Sequence, residues 1–152
     1  MNIDKRFETE VVKKYRASIE KKKISLFLKL LFDKVLALIL LIPLSPIILG
    51  IAIWIKLDSE GPVFYRQERI TTYGRTFRIF KFRTMVKDAD KLGTAVTQQN
   101  DPRISKVGHK LRKLRLDELP QLINVLLGDM SFVGVRPEVA KYVDKYTDEM
   151  NA

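Results

Sequence analysis

The chain has no cysteine, a single histidine and a single tryptophan. Without thiols it can form no disulfide and offers no thiolate to a metal, which fits a reducing compartment. Acidic side chains are the minority, 18 against 28 lysines and arginines, leaving a net charge of +10. That balance calls for acidic partners: nucleic acid, anionic lipid headgroups or phosphorylated substrates. No zinc, helix-turn-helix or RNA-recognition pattern accompanies the charge, so nucleic acid has nothing but the charge in its favour. No cleavable leader is visible, because the first twenty-odd residues are polar and charged and the apolar run that follows lacks a small-residue cleavage pattern. Internal repeats and low-complexity tracts are also missing. The length suits one domain and little more.

What the chain does have is one long apolar run. Val35 to Ile55 reads VLALILLIPLSPIILGIAIWI, with no charge and a single hydroxyl, Ser45. A straight helix of that length rises far enough to cross a hydrocarbon layer of about 30 Å. Pro43 and Pro46 interrupt it near the middle. Pro46 removes a helical hydrogen bond and crowds the preceding turn, which predicts a kink, and Ser45 can bond a carbonyl so released. Both flanks are basic: Lys21, Lys22, Lys23, Lys29 and Lys34 before the run, Lys56, Arg66 and Arg69 after it. The positive-inside rule puts both on the cytoplasmic face, which a helix that dips into one leaflet and returns would satisfy. A spanning helix and a buried core helix are the alternatives. Trp54, near the end of the run, suits either an interfacial position or plain packing.

Around this run the local signals are conventional. Residues 2–25 are charged and helix-compatible, and Val11, Val12, Tyr15 and Ile19 form an apolar stripe. That stripe suits a helix lying on a membrane surface, or else the segment is a solvated tail. Val63–Ile70 and Thr76–Thr84 favour strands, joined by a turn at Thr72, Tyr73 and Gly74. Helices are predicted over Met85–Lys91, over Lys106–Leu114 with Ser105 as N-cap, from Asp117 to Leu127 with Pro120 in the first turn, and over Glu138–Met150. Gly93–Pro102 reads as a loop, and Gly128 ends the helix before it.

The densest chemistry lies in KLRKLRLDELPQLINVLLGDMSFVGVRPE. Asp117 and Glu118 are adjacent carboxylates behind a basic run, with Arg112 and Arg115 before them and Arg136 after. Carboxylates with arginine forks suit a site that handles phosphates, a metal and a nucleophile together. The competing reading makes Asp117 a helix cap, with Glu118 adding to the same dipole interaction. His109 reads as a surface residue, Asp58 and Asp129 as turn or cap acceptors, and Arg66, Arg69, Arg75, Arg78 and Arg83 as solvated or lipid-facing charges.

Five blocks appear in order: FDKVLALILLIPLSPIIL, IKLDSEGPVFYRQERI, FRIFKFRTM, DPRISKVGHKLRKLRLDELPQL and GDMSFVGVRPE. Across roughly residues 29–138 this series resembles the bacterial sugar transferases known as monotopic phosphoglycosyl transferases. The resemblance implies transfer of a phosphosugar from a UDP-sugar to polyprenyl (undecaprenyl) phosphate, with UMP released and surface polysaccharide, capsule or glycan assembly begun. It implies that Asp117 is the nucleophile and a magnesium ligand, forming a covalent aspartyl-phosphosugar intermediate, with Glu118 its catalytic partner. Arg112 and Arg136 match phosphate-contacting arginines, Lys81 a basic residue near the site, and Ser45 and Pro46 the break of a re-entrant membrane helix. Arg115 joins the substrate-binding group. Where many relatives read Pro-Arg-Pro, this chain has Val135, Arg136 and Pro137. The family pattern further implies a Gly-rich segment beyond Ala152.

The expected fold is α/β and mainly helical: a monotopic membrane protein with a re-entrant helix, surface helices and a small β-hairpin. Residues 1–28 would be a basic extension, 29–57 the re-entrant helix and 58–152 a catalytic domain on the cytoplasmic face of a bacterial inner membrane. The rival is a non-enzymatic basic adaptor binding anionic lipid or an acidic partner.

Overall fold

The structure, a computed structural model, describes residues 9–71, 74–89, 92, 101–143 and 146. Thr72 and Tyr73 of the predicted turn, most of the loop Gly93–Pro102 and the end of the helix predicted over Glu138–Met150 lie outside these residues. So do the side chains of Val11 and Tyr15 in the N-terminal stripe. The elements run α1 (Glu10–Glu20), α2 (Lys23–Asp58), β1 (Phe64–Ile70), β2 (Thr76–Phe82), α3 (Lys106–Lys113), a 3-10 turn (Leu116–Glu118), α4 (Gln121–Leu127) and α5 (Ala140–Val143). The result is a mixed fold of helices and one two-stranded sheet, β1 with β2.

α2 runs for 36 residues without a break in its helical assignment, with Pro43 and Pro46 inside it. At 1.5 Å per residue it is roughly 54 Å long, well beyond a hydrocarbon layer. Pro46 deprives the Ile42 carbonyl of its usual helical donor, and the Ser45 hydroxyl donates to that carbonyl at 2.7 Å. Much of α2 shows large apolar side chains at the surface, among them Phe27, Phe32, Ile39, Ile42, Leu49 and Ile53. This is the one helix among the described residues long and apolar enough to cross a membrane, which makes it a candidate membrane segment. An apolar surface of this extent is stable only against lipid or another apolar partner.

The chain divides into two compact units. The first comprises Met1–Leu38, Gln67–Ile79 and Asn124–Ala152. Its helix α1 starts at Thr9, whose side chain caps the Val12 amide. Val12 is buried, whereas Ile19 is exposed. Ile70 and Val143 form a small core, and Ile70 pairs with Glu138 in an isolated bridge. The buried carboxylate of Asp33 accepts from the Ser131 hydroxyl at 2.6 Å and from the Lys29 ammonium at 3.1 Å, and Lys29 also bonds Ser131. Asn124, fully buried, donates to the Arg78 carbonyl and to Asp129. Gly128 stops α4 at φ 83°, a conformation glycine adopts without a Cβ penalty.

The second unit comprises Ile39–Arg66 and Phe80–Ile123. Its core is Ile51, Ile55, Phe82, Val107 and Leu111. α2 presents Ile51 and Ile55 at i, i+4 spacing, and α3 presents Val107 and Leu111 in the same way. Phe64 stacks on Phe82 with ring centroids 5.6 Å apart. Ser105 caps α3 through the Gly108 amide at 3.0 Å, as its sequence predicts. Asp58 accepts from the Val107 amide at 3.2 Å, so it is the cap acceptor expected of it. Arg83 is buried and donates to the Ser59 carbonyl and hydroxyl at the end of α2, which corrects its reading as a surface charge.

The segment from Met85 differs from its prediction. Met85 pairs with Ile104, the Val86 amide donates to Arg103, and Asp88 takes φ 59°, which ends any right-handed helix there. A distant partner overrides the local helical preference.

Candidate active site

Within the second unit, the end of β2, helix α3 and the 3-10 turn bring Lys81, Thr84, Arg112, Asp117 and Glu118 together. The local backbone explains how. α3 ends at Lys113, and Arg115 then takes the left-handed conformation, φ 57° and ψ 20°. Glycine is the usual residue at such a helix exit, and an L side chain there is strained by about 1–3 kcal/mol. The reversal starts a separate turn, Leu116–Glu118, in which the Leu119 amide donates to the Leu116 carbonyl. Asp117 therefore sits inside the 3-10 turn and does not cap α4, which begins only at Gln121, after the buried Pro120. The helix-cap reading of Asp117 is thereby corrected.

Asp117 is half-buried, and its Oδ1 is shielded from solvent with no hydrogen-bond partner. Burial pushes its carboxyl above the usual carboxylate range. Lys81 pulls it back, Glu118 adds to the rise, and Arg112 opposes it. Lys81 donates to Glu118 at 3.0 Å with both side chains largely covered. Arg112 donates through Nε to the Thr84 hydroxyl at 2.8 Å. Its guanidinium lies below the ordinary arginine value mainly through burial, with Asp117 and Asp101 pushing the other way. Asp101 is itself buried and held by Arg103, at 2.7 and 2.9 Å. The arrangement is a shielded, under-bonded carboxylate oxygen facing a field of cations. Such a group is a candidate nucleophile or cation ligand.

The remaining predicted residues are placed as follows. Arg115 is exposed, and its contribution visible here is the backbone reversal. Arg136 is exposed and belongs to the first unit, on the loop after Ser131. Ser45 and Pro46 lie within α2, away from any ionisable side chain in sequence. His109 is exposed, in accord with its sequence reading. The Lys110 ammonium sits 5.2 Å above the Trp54 ring, so the tryptophan has a polar neighbour at the edge of the apolar run. Sequence reasoning did not single out Thr84, Asp33 or Ser131. Each lies inside a quoted block, and Asp33 is four residues from Lys29 at the rim of the apolar run, the one signal that was available.

A family profile described as bacterial sugar transferase matches residues 24–152. The chain belongs to this family. A Bacillus subtilis protein named as a putative undecaprenyl-phosphate N-acetylgalactosaminyl 1-phosphate transferase is 39% identical over 150 residues, covering 99% of this chain and 83% of the relative. An Aeromonas hydrophila UDP-N-acetylgalactosamine-undecaprenyl-phosphate N-acetylgalactosaminephosphotransferase is 47% identical over 117 residues, 76% of this chain. The Escherichia coli UDP-glucose:undecaprenyl-phosphate glucose-1-phosphate transferase is 49% identical over 115 residues, 75% of this chain. The chain spans only 28% and 25% of the last two relatives.

Proposed function

We propose that this chain is a phosphoglycosyl transferase that moves a sugar 1-phosphate from a UDP-sugar to undecaprenyl phosphate. The observation that carries the reading is the unpartnered, shielded Oδ1 of Asp117 beside Lys81, Arg112 and Glu118. In the first step an Asp117 oxygen attacks the phosphorus that bears the sugar. The P–O bond to UMP breaks, UMP leaves with that electron pair, and an aspartyl phosphosugar remains. In the second step a phosphate oxygen of the lipid attacks the same phosphorus. The bond to Asp117 breaks and the carboxylate is restored. A covalent relay lets a soluble donor and a lipid acceptor use one site in turn.

Arg112 would hold diphosphate oxygens, since a guanidinium fork matches phosphate geometry; for Arg136 the same role rests on its sequence motif alone. Lys81 would orient Glu118, and Glu118 would handle the proton or metal beside the nucleophile. Magnesium fits Asp117, whose free oxygen is a hard ligand. No cluster of three or more acidic or histidine side chains occurs among the described residues, so the other ligands would be diphosphate oxygens and water. Bound there, the ion would supply neutralisation of the diphosphate charge.

The membrane arrangement we propose is re-entrant. Lys29 and Asp33, before the apolar stretch, bond Ser131. Asp58, after it, bonds the α3 amide of Val107. What supports a dip into one leaflet is the sequence: basic residues on both flanks of the apolar run, and Ser45 before Pro46 near its middle. The cytoplasmic face follows from the lysines on both flanks.

The test is release of UMP from UDP-glucose or UDP-N-acetylgalactosamine in the presence of magnesium and undecaprenyl phosphate. Release is expected from the parent and lost in Asp117→Asn. Release that survives this substitution removes Asp117 as nucleophile.

A further inference from the structure

Helix α3 and the end of β2 meet at unusually close range within the second unit. A Cβ built on Gly108 would lie 2.0 Å from the carbonyl oxygen of Thr84 and 2.9 Å from its Cα, so only glycine fits there. The same Thr84 carbonyl accepts from the amide of Ser105, the α3 cap residue, at 3.0 Å. The backbone of Thr84 is therefore pinned to the first turn of α3. Arg112 stands one helical turn beyond Gly108, on the same face of α3. Side chains on a helix lean toward its N-terminus, so Arg112 reaches back over Gly108 toward Thr84. There its Nε donates to the Thr84 hydroxyl at 2.8 Å, and Thr84 is buried.

That single bond determines what the guanidinium has left to offer. An arginine side chain carries five N–H donors in a rigid plane, one on Nε and four on the two terminal nitrogens. Occupying Nε with a fixed oxygen sets the orientation of the plane and leaves the terminal pair as a fork. We propose that Thr84 is a positioning residue for phosphate binding, its hydroxyl aiming the Arg112 fork at the donor diphosphate. This rests on the reading that Arg112 holds that diphosphate.

The chemistry separates three threonine replacements. Valine keeps the shape and removes the acceptor. Serine keeps the acceptor and drops a methyl group. Alanine removes both. A neutral oxygen bonded to a cation contributes more than a neutral pair does, and loss of such a support typically lowers function about 10- to 100-fold.

The experiment measures UMP release from UDP-glucose or UDP-N-acetylgalactosamine, with magnesium and undecaprenyl phosphate, for the full chain in detergent or nanodiscs. Thr84→Val is expected to lose about 10- to 100-fold in kcat/KM, and Thr84→Ser to stay within about threefold of the parent. Arg112→Lys keeps the charge but has no Nε–H and is expected to fall at least as far as Thr84→Val. Adding Thr84→Val to Arg112→Lys should then cost less than about twofold, because the bond is already gone. A purely structural threonine would show the same loss in both backgrounds, and that result overturns the inference. So does Thr84→Val at parent activity while Arg112→Ala is impaired. If Arg112→Ala is itself at parent activity, the phosphate role of Arg112 fails first, which is a different outcome. Should Thr84→Val not fold, Thr84→Ser at parent activity together with impaired Arg112→Lys supports the inference. Unimpaired Arg112→Lys contradicts it.

Discussion

The apolar helix α2 and the cluster around Asp117 depart from ordinary packing in opposite ways. α2 displays large, exposed apolar side chains, and the one hydroxyl within its apolar run, Ser45, is satisfied one turn back on Ile42. Its surface is explained only by a greasy environment. The Asp117 cluster is densely bonded through Lys81, Glu118, Arg112 and Thr84, yet leaves one shielded carboxylate oxygen without a partner. The lesson is that an exposed apolar face marks a candidate membrane segment, whereas a shielded, unbonded carboxylate oxygen among cations marks a candidate reactive group. Stability is surrendered at the second and not at the first.

The largest expected effect breaks the second region. Asp117→Asn should lower UMP release by at least about 10³-fold, as removal of a nucleophile does. The same substitution should raise thermal stability at neutral pH. The folded carboxyl titrates above its unfolded value, so the folded state binds the proton more tightly. Its stabilising effect is complete below the unfolded value and is lost as pH rises through the folded one. The advantage of asparagine should therefore shrink on acidification, which melting curves across pH would show. In the parent, activity should fall as pH drops through the raised Asp117 value, because the nucleophile must be ionised.

Next in size, Arg112→Ala should cost about 10²- to 10³-fold in kcat/KM, the scale of losing one preorganised donor to developing charge. Gly108→Ala drives a methyl group into the Thr84 carbonyl and should destabilise by about 1–3 kcal/mol, read from melting or denaturant curves. Asp33→Ala tests the other side of the comparison. It removes the acceptor that Lys29 and Ser131 share, leaving them only each other and the backbone of Val133, and should cost about 1–3 kcal/mol without altering the apolar surface of α2. Carbonate extraction would separate these two effects. The smallest effect is expected at Ser45→Ala, about 0.5–1.5 kcal/mol for one hydrogen bond to a carbonyl that Pro46 leaves without its helical donor.

Features with a local cause were legible in the sequence. The apolar run, the Ser105 cap, the two strands and the Gly128 stop all appear where composition and turn chemistry put them. The Asp-Glu pair was legible as a candidate site, because its arginines are close in sequence. What the sequence concealed depends on distant partners or on strain. Met85 looked helical because its bridge partner, Ile104, is remote. Asp117 looked like a helix cap because nothing in the letters marks Arg115 as left-handed. Asp33 and Ser131, 98 residues apart, are unremarkable singly and informative only as a bonded pair.

The central claim is that Asp117 accepts a phosphosugar. Intact-mass and peptide mass spectrometry after incubation with UDP-sugar and magnesium, without the lipid acceptor, tests it directly. The account predicts a mass increase of one sugar phosphate, located on Asp117 and discharged when undecaprenyl phosphate is added. An adduct on another residue, or lipid-dependent UMP release from an enzyme that never carries one, would contradict it.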